Sequence, residues 1–170
     1  MKQYVFSLAL FYSLIFLVNC GGDPKKEKEQ EKIEIKSQTK EVKKDENVSS
    51  VVITANDAMK YNTEEIRVKA GNKVKLTLRH IGKMDKNIMG HNVVILKKGV
   101  DMGAFAAEAA TEKSNDYIPQ DTDDVIIHTE MIGGGQVTTV EFDAPAAGTY
   151  NFLCSFPAHY ALMNGKFIVE

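Results

Sequence analysis

The sequence predicts an all-β domain, a sandwich or barrel of about eight strands with one short helix on a crossover connection. Three observations carry this expectation. In Lys73-Val74-Lys75-Leu76-Thr77-Leu78-Arg79 the apolar residues occupy every second position, as a strand with one buried face requires. From Val48 onward, short alternating or apolar runs are broken by Gly, Asn, Asp and Pro, the texture of a β fold. The exception is the Ala-rich stretch 102–113, where Phe105 and Ala109 fall at helical spacing.

In chain order, strands are expected over 51–55, 65–69, 73–79, 92–96, 125–129, 137–142 and 166–169. A further strand places Tyr150, Phe152 and Cys154 on one face, and Gly133-Gly134-Gly135 marks a turn.

The 170-residue chain does not devote all its length to this domain. Residues 1–19 carry Lys2 and then a nearly unbroken apolar run over 5–18, too short to span a bilayer comfortably and suited to an export signal. Leu17-Val18-Asn19-Cys20-Gly21 resembles a bacterial lipobox, which implies lipidation of Cys20. Gly21 stands where Asp is associated with inner-membrane retention, a hint toward the outer membrane. Residues 20–47, with Lys25-Lys26-Glu27-Lys28-Glu29, hold too few apolar residues to offset the entropy of ordering and read as a charged tether. As a coil, it would reach on the order of 30 Å. The folded domain is expected over 48–170.

With Cys20 assigned to lipid, Cys154 is the remaining cysteine of two, and no intramolecular disulfide is available. A lone thiol in an oxidising compartment is more easily explained if a metal occupies it, the alternative being an inert buried cysteine. The net charge of −2 makes no case for nucleic-acid binding through a basic surface.

Cys154-Ser155-Phe156-Pro157-Ala158-His159-Tyr160-Ala161-Leu162-Met163 has the spacing Cys-x4-His-x3-Met. One segment thus supplies a thiolate, an imidazole and a thioether, donors suited to copper. It lies between two expected strands and should form a loop at one end of the sandwich, stiffened by Pro157. Met89-Gly90-His91-Asn92 precedes another strand and would bring a second imidazole to the same end. Two His and a Cys with a weak axial Met is the blue-copper arrangement. Taken singly, either histidine reads more simply as structural and Met163 as core packing; together the four point to a metal.

These motifs resemble those of azurins and the related auracyanins, within the cupredoxins. So do Asn56-Asp57-Ala58-Met59-Lys60-Tyr61-Asn62, Leu78-Arg79-His80, Val125-Ile126-Ile127-His128-Thr129 and Ile132-Gly133, in the same order. The resemblance covers about 48–170 and implies a cupredoxin-like Greek-key sandwich holding one Cu(I)/Cu(II) ion. It implies His91, Cys154, His159 and Met163 as ligands, with the Gly90 backbone carbonyl as a weak axial contact. Asn92 and Phe156 would support the ligands from behind, Asn92 by hydrogen-bonding across to the cysteine loop. Met84, Ile88, Met89, Pro157 and Ala158 would surround the exposed edge of His159 as a docking patch for redox proteins such as cytochromes or copper and haem reductases. The plainer reading of that patch is packing at the sandwich end. His80 and His128 are expected to be structural, although azurins can carry a buried, pH-responsive histidine where His80 stands. The chain departs from azurins in lacking their disulfide and any Trp, with Val93 or Val94 where many bury an indole.

The expected function is single-electron transfer by a monomer on the periplasmic side of the envelope or at the cell surface, without enzymatic activity. Every strong coordination position is taken by protein, and four histidines cannot build further catalytic coppers. The alternative is a protein that buffers or delivers copper in the envelope without redox duty.

Overall fold

Alternation in the sequence becomes two facing sheets in the computed structural model, which describes residues 47–170. The expected export segment, Cys20 and the expected tether through residue 46 lie outside the described residues. The chain runs through β1 (Val48–Asn56), β2 (Lys60–Tyr61), β3 (Glu65–Val68) and β4 (Lys73–His80) to a one-turn helix α1 (Lys86–Met89). It continues through β5 (Val94–Leu96), helix α2 (Met102–Ala109), a 3-10 turn (Lys113–Asn115), β6 (Val125–His128), β7 (Val137–Asp143), β8 (Gly148–Leu153) and β9 (Asn164–Val169). One sheet has the order β2-β1-β4-β7 and the other β3-β9-β8-β5-β6. The β1–β4 and β3–β9 pairs are parallel and the rest antiparallel.

The alternation of β4 has a direct outcome: Val74, Leu76, Leu78 and His80 are buried while Lys73, Lys75 and Arg79 are exposed. The run Val93-Val94-Ile95-Leu96 does not alternate because both of its faces are covered. Val93 and Ile95 enter the core between the sheets with Phe152 and Phe167, whereas Val94 and Leu96 join Phe105, Ala109 and Leu153 beneath α2. The crossover helix therefore closes a second, smaller core on the outer face of β5 and β8.

Three expectations about elements needed adjustment. The helix stops at Ala109 short of 113, where the Thr111 hydroxyl donates to the Glu108 carbonyl at 2.8 Å. The chain then turns through left-handed Asp116 and Tyr117. The strand expected from Asn92 begins at Val94, because the Asn92 side chain is engaged with Ser155 and the Val93 N–H donates to the Thr129 hydroxyl. Finally, β2 raises the described strands to nine, and α1 was not anticipated; segments of two and four residues are too short to show a period.

The α1 segment is pinned from two sides. The Asp57 carboxylate accepts from the Lys83 and Met84 N–H groups at 2.8 and 3.2 Å, tying it to the β1–β2 turn. Opposite, a β-carbon on Gly133 would lie 2.6 Å from the Lys86 nitrogen, and one on Gly134 2.5 Å from the Lys83 backbone. Only glycine permits this approach, and it fixes the chain just before His91.

With Cys154 the free cysteine among the described residues, burial must hold the sandwich together. Phe167 is fully buried, with Phe142 and Tyr150 rings at 6.0 and 6.4 Å. Chemical denaturation of metal-free protein should show Phe167→Ala costing about 3–5 kcal/mol; a loss below about 1 kcal/mol would place the stabilising core elsewhere.

Candidate metal centre

Strand β8 delivers Cys154 to the end of the sandwich, and the loop that follows is closed at its neck. The Cys154 N–H donates to the Met163 carbonyl at 2.9 Å, and the Met163 N–H donates to the His159 carbonyl at 2.8 Å. Within the loop, the His159 N–H donates to Phe156 at 3.0 Å. Ala158 adopts φ +66°, a left-handed conformation that costs a β-carbon-bearing residue about 1–2 kcal/mol, so the surrounding bonds rather than local preference impose the loop's shape. His91 is set by a separate device: it exchanges two backbone hydrogen bonds with Ile132, each 2.9 Å.

The two devices bring three buried donors together. Metal-ligating atoms of His91, Cys154 and His159 all lie within 4.8 Å of one another. The Cys154 Sγ is 3.9 Å from His91 Nδ1 and 3.7 Å from His159 Nδ1. The His91 Nε2 donates to the Asn56 carbonyl at 3.0 Å, which fixes the tautomer and leaves the Nδ1 lone pair toward the sulfur. A first-row ion with bonds of about 2.3 Å to sulfur and about 2.0 Å to nitrogen at about 120° requires a separation of about 3.7 Å. The observed spacing fits such an ion without rearrangement.

The remaining expected residues are placed as follows. The Met163 side chain is fully buried in the same core cluster as Cys154, and the Gly90 carbonyl oxygen is 3.8 Å from the sulfur. Asn92 bridges to the cysteine loop through both ends of its amide: Oδ1 accepts from the Ser155 N–H at 2.9 Å, and Nδ2 donates to the Ser155 hydroxyl at 2.8 Å. The Phe156 ring lies 4.6 Å from the His159 ring and 5.2 Å from Tyr117. Met84, Ile88 and Ala158 are exposed, while Met89 and Pro157 are half-buried. His159 is only 3% exposed, so its accessible edge is smaller than the sequence implied, and Phe156 packs beside it.

Sequence reasoning missed three participants. His80 stacks on His91 at 4.5 Å between centroids, accepts at Nδ1 from the Gly82 N–H and donates from Nε2 to the Met89 carbonyl at 3.0 Å. The period-two burial of β4, extended one step past Leu78, was the available signal for it. Leu162, 60% exposed, belongs to the same loop as His159. Tyr61 donates its hydroxyl proton to the Asn92 carbonyl from the opposite sheet, and nothing in its spacing marks it.

Burial opposes charge on all three donors. It raises the Cys154 thiol to about 11 against the lowering effect of the Asn92 and Phe156 N–H groups and the Tyr61 hydroxyl. It lowers His91 and His159 to about 4, with His80 adding to the fall of both. An unfolded chain takes up protons at histidine below about 6.5, before the folded one does. The metal-free protein should therefore lose stability as pH falls from about 6.5 toward 4, with no further loss from these two groups below that. Denaturation midpoints across this range measure the effect, and a flat profile would contradict it.

Comparison with known proteins agrees with this geometry. Residues 46–170 match the family described as copper binding proteins, plastocyanin/azurin family. Azurin-1 of Alcaligenes xylosoxydans xylosoxydans is 43% identical over 120 residues, covering 68% of this chain and 93% of that protein. Outer membrane protein H.8 of Neisseria gonorrhoeae is 40% identical over 120 residues, covering 69% of this chain and 65% of the relative. The dithionite-reduced auracyanin of Roseiflexus castenholzii superposes with a TM-score of 0.64 at 35% identity, covering 71% of this chain and 96% of that structure. Since the match runs through both the segment bearing His91 and the loop bearing Cys154, the chain belongs to the plastocyanin/azurin family of copper-binding proteins, and the ion that its buried thiol and imidazoles suit is copper.

Proposed function

We propose that this protein carries single electrons at the bacterial cell envelope and catalyses no reaction of its own. The observation that supports this reading is the spacing of the buried donors, already 3.7–3.9 Å apart around one centre. Copper bound there supplies a Cu(I)/Cu(II) couple. The protein's part is to hold His91, Cys154 and His159 so firmly that neither oxidation state demands a new arrangement, which keeps the reorganisation barrier low. Met163 and the Gly90 carbonyl are assigned as weak contacts, a role supported by the burial of the methionine beside Cys154 and by the 3.8 Å between the Gly90 oxygen and the sulfur.

His159 is the proposed route for the electron, being the ligand on the exposed loop. Met84, Ile88, Ala158 and Leu162 offer apolar surface at the loops around the site, suited to brief contact with a redox protein that must depart after transfer. We further propose that the domain covers 48–170 and is tethered by residues 20–47 to a lipidated Cys20, after removal of segment 1–19. The relative named as an outer membrane protein supports an envelope location. Among the described residues no helix is long and apolar enough to cross a membrane.

Oxidised protein loaded with Cu(II) should absorb intensely toward the red end of the visible range by thiolate-to-copper charge transfer, and it should cycle reversibly with redox reagents while retaining the ion. Cys154→Ser should abolish the band. A colourless protein that binds copper only as Cu(I) and does not cycle would favour buffering or delivery instead. Met163→Leu should keep the band while raising the reduction potential, because a weak electron donor is lost; disappearance of the band would contradict a weak axial role.

A further inference from the structure

Two consecutive residues on the connection between α2 and β6, Asp116 and Tyr117, adopt left-handed backbone at φ +51° and +59°. Aspartate tolerates that region better than most residues, but a bulky tyrosine does not, so neighbouring contacts must impose the turn. The Asp116 carboxylate pairs through Oδ1 with Lys86 Nζ at 3.0 Å and accepts the Met131 N–H through Oδ2 at 3.3 Å. The Tyr117 ring, nearly buried, meets the Phe156 ring edge-on at 5.2 Å. One turn thus holds α1, the segment after β6 and the cysteine loop together.

Lys86, Met131 and Phe156 share a second property: they enclose Gly90. A β-carbon on Gly90 would lie 2.5 Å from the Lys86 carbonyl oxygen, 2.9 Å from Met131 Sδ and 3.0 Å from Phe156 Cδ2. Gly90 itself sits at φ −67° and ψ 143°, open to any residue, so lack of space rather than backbone freedom requires glycine there. Each wall of that space belongs to a residue gripped by Asp116 or Tyr117, and the enclosed peptide carries the carbonyl that lies 3.8 Å from the Cys154 sulfur.

We propose that the Asp116–Tyr117 turn is a positioning clasp for Gly90: through Lys86, Met131 and Phe156 it holds the Gly90 carbonyl beside the metal centre as a weak contact and keeps it from closing on the ion as a full ligand. This rests on the copper reading above and on the weak contact assigned there to Gly90. A backbone carbonyl is a hard oxygen donor, which suits divalent ions and gives little to Cu(I). A carbonyl free to move inward would therefore stabilise Cu(II) over Cu(I) and would also admit zinc. Held back, it leaves the soft thiolate and the imidazoles to decide which ion is bound and how readily it is reduced.

The test compares two variants that lose the same charge. Asp116→Gly removes the side chain and accepts left-handed backbone without strain, whereas Asp116→Asn keeps an acceptor for the Met131 N–H. Relative to Asp116→Asn, copper-loaded Asp116→Gly should move its exchange equilibrium with a reference redox couple about three- to tenfold toward the oxidised form. Its preference for zinc over Cu(I), read by metal competition starting from metal-free protein, should rise about tenfold. Loss of the negative charge alone favours the less positive ion, the opposite direction, so it cannot imitate either result. A blue wild type whose two variants agree in both readings overturns this inference alone, leaving the turn as scaffold. A wild type without the band overturns the copper reading and this inference with it. Should Asp116→Gly fail to fold, Tyr117→Leu, which frees Phe156 with no change of charge, must move the equilibrium toward the oxidised form; no shift overturns the proposal.

Discussion

The copper end of this molecule depends on one buried amide. Asn92 sits between His91 and the cysteine loop, wholly inaccessible, with both amide atoms engaged by Ser155 and its backbone carbonyl engaged by Tyr61. Segments 63 residues apart are thereby held at fixed separation, and the His91–Cys154 distance follows from it. Such a bridge tolerates no partial loss: without the amide, a buried N–H and a buried hydroxyl would lack partners, at about 1–3 kcal/mol each. A fully satisfied buried network of this kind rigidifies its surroundings, and here it fixes the spacing of the donors on either side of it.

The sandwich supplies what that bridge fastens. Strand β8 ends at Leu153, so Cys154 projects from the last ordered ladder of the second sheet, while β4 of the first sheet ends in His80, stacked beneath His91. His159 tilts toward His91 at 5.0 Å, completing a row of three imidazoles. In this dry environment the donors remain neutral until an ion displaces the thiol proton, which couples metal uptake to proton release. The α1 loop is pressed against the Gly133–Gly134 turn and hooked by Asp57, which fixes the chain that leads into His91.

Much of this was legible in the residues because residue type and spacing together restrict the chemistry. Cys154, His159 and Met163 share one short loop, and the alternation of β4 announces its buried face without any partner being known. The double burial of β5 was visible only as an unbroken apolar run; that α2 covers its outer face is a fact of tertiary packing. What escaped was carried by contacts between distant segments. Tyr61 reaches Asn92 across 31 positions from a strand of two residues, and no periodicity can signal that. His80 stood in plain alternation with Leu78, yet its ring contact with His91 arises from how β4 meets the loop before β5. The helix was overextended because alanine-rich sequence favours helix locally, whereas Thr111 and two left-handed residues end it.

The central claim is that the protein sets the donor positions before the ion arrives. Crystal structures of metal-free and copper-loaded protein test it most directly. The account predicts that the Cys154 Sγ to Nδ1 distances of 3.9 Å to His91 and 3.7 Å to His159 persist in both, to within about 0.5 Å. A metal-free structure in which either imidazole has swung away, or the sulfur has withdrawn from their common centre, would contradict it.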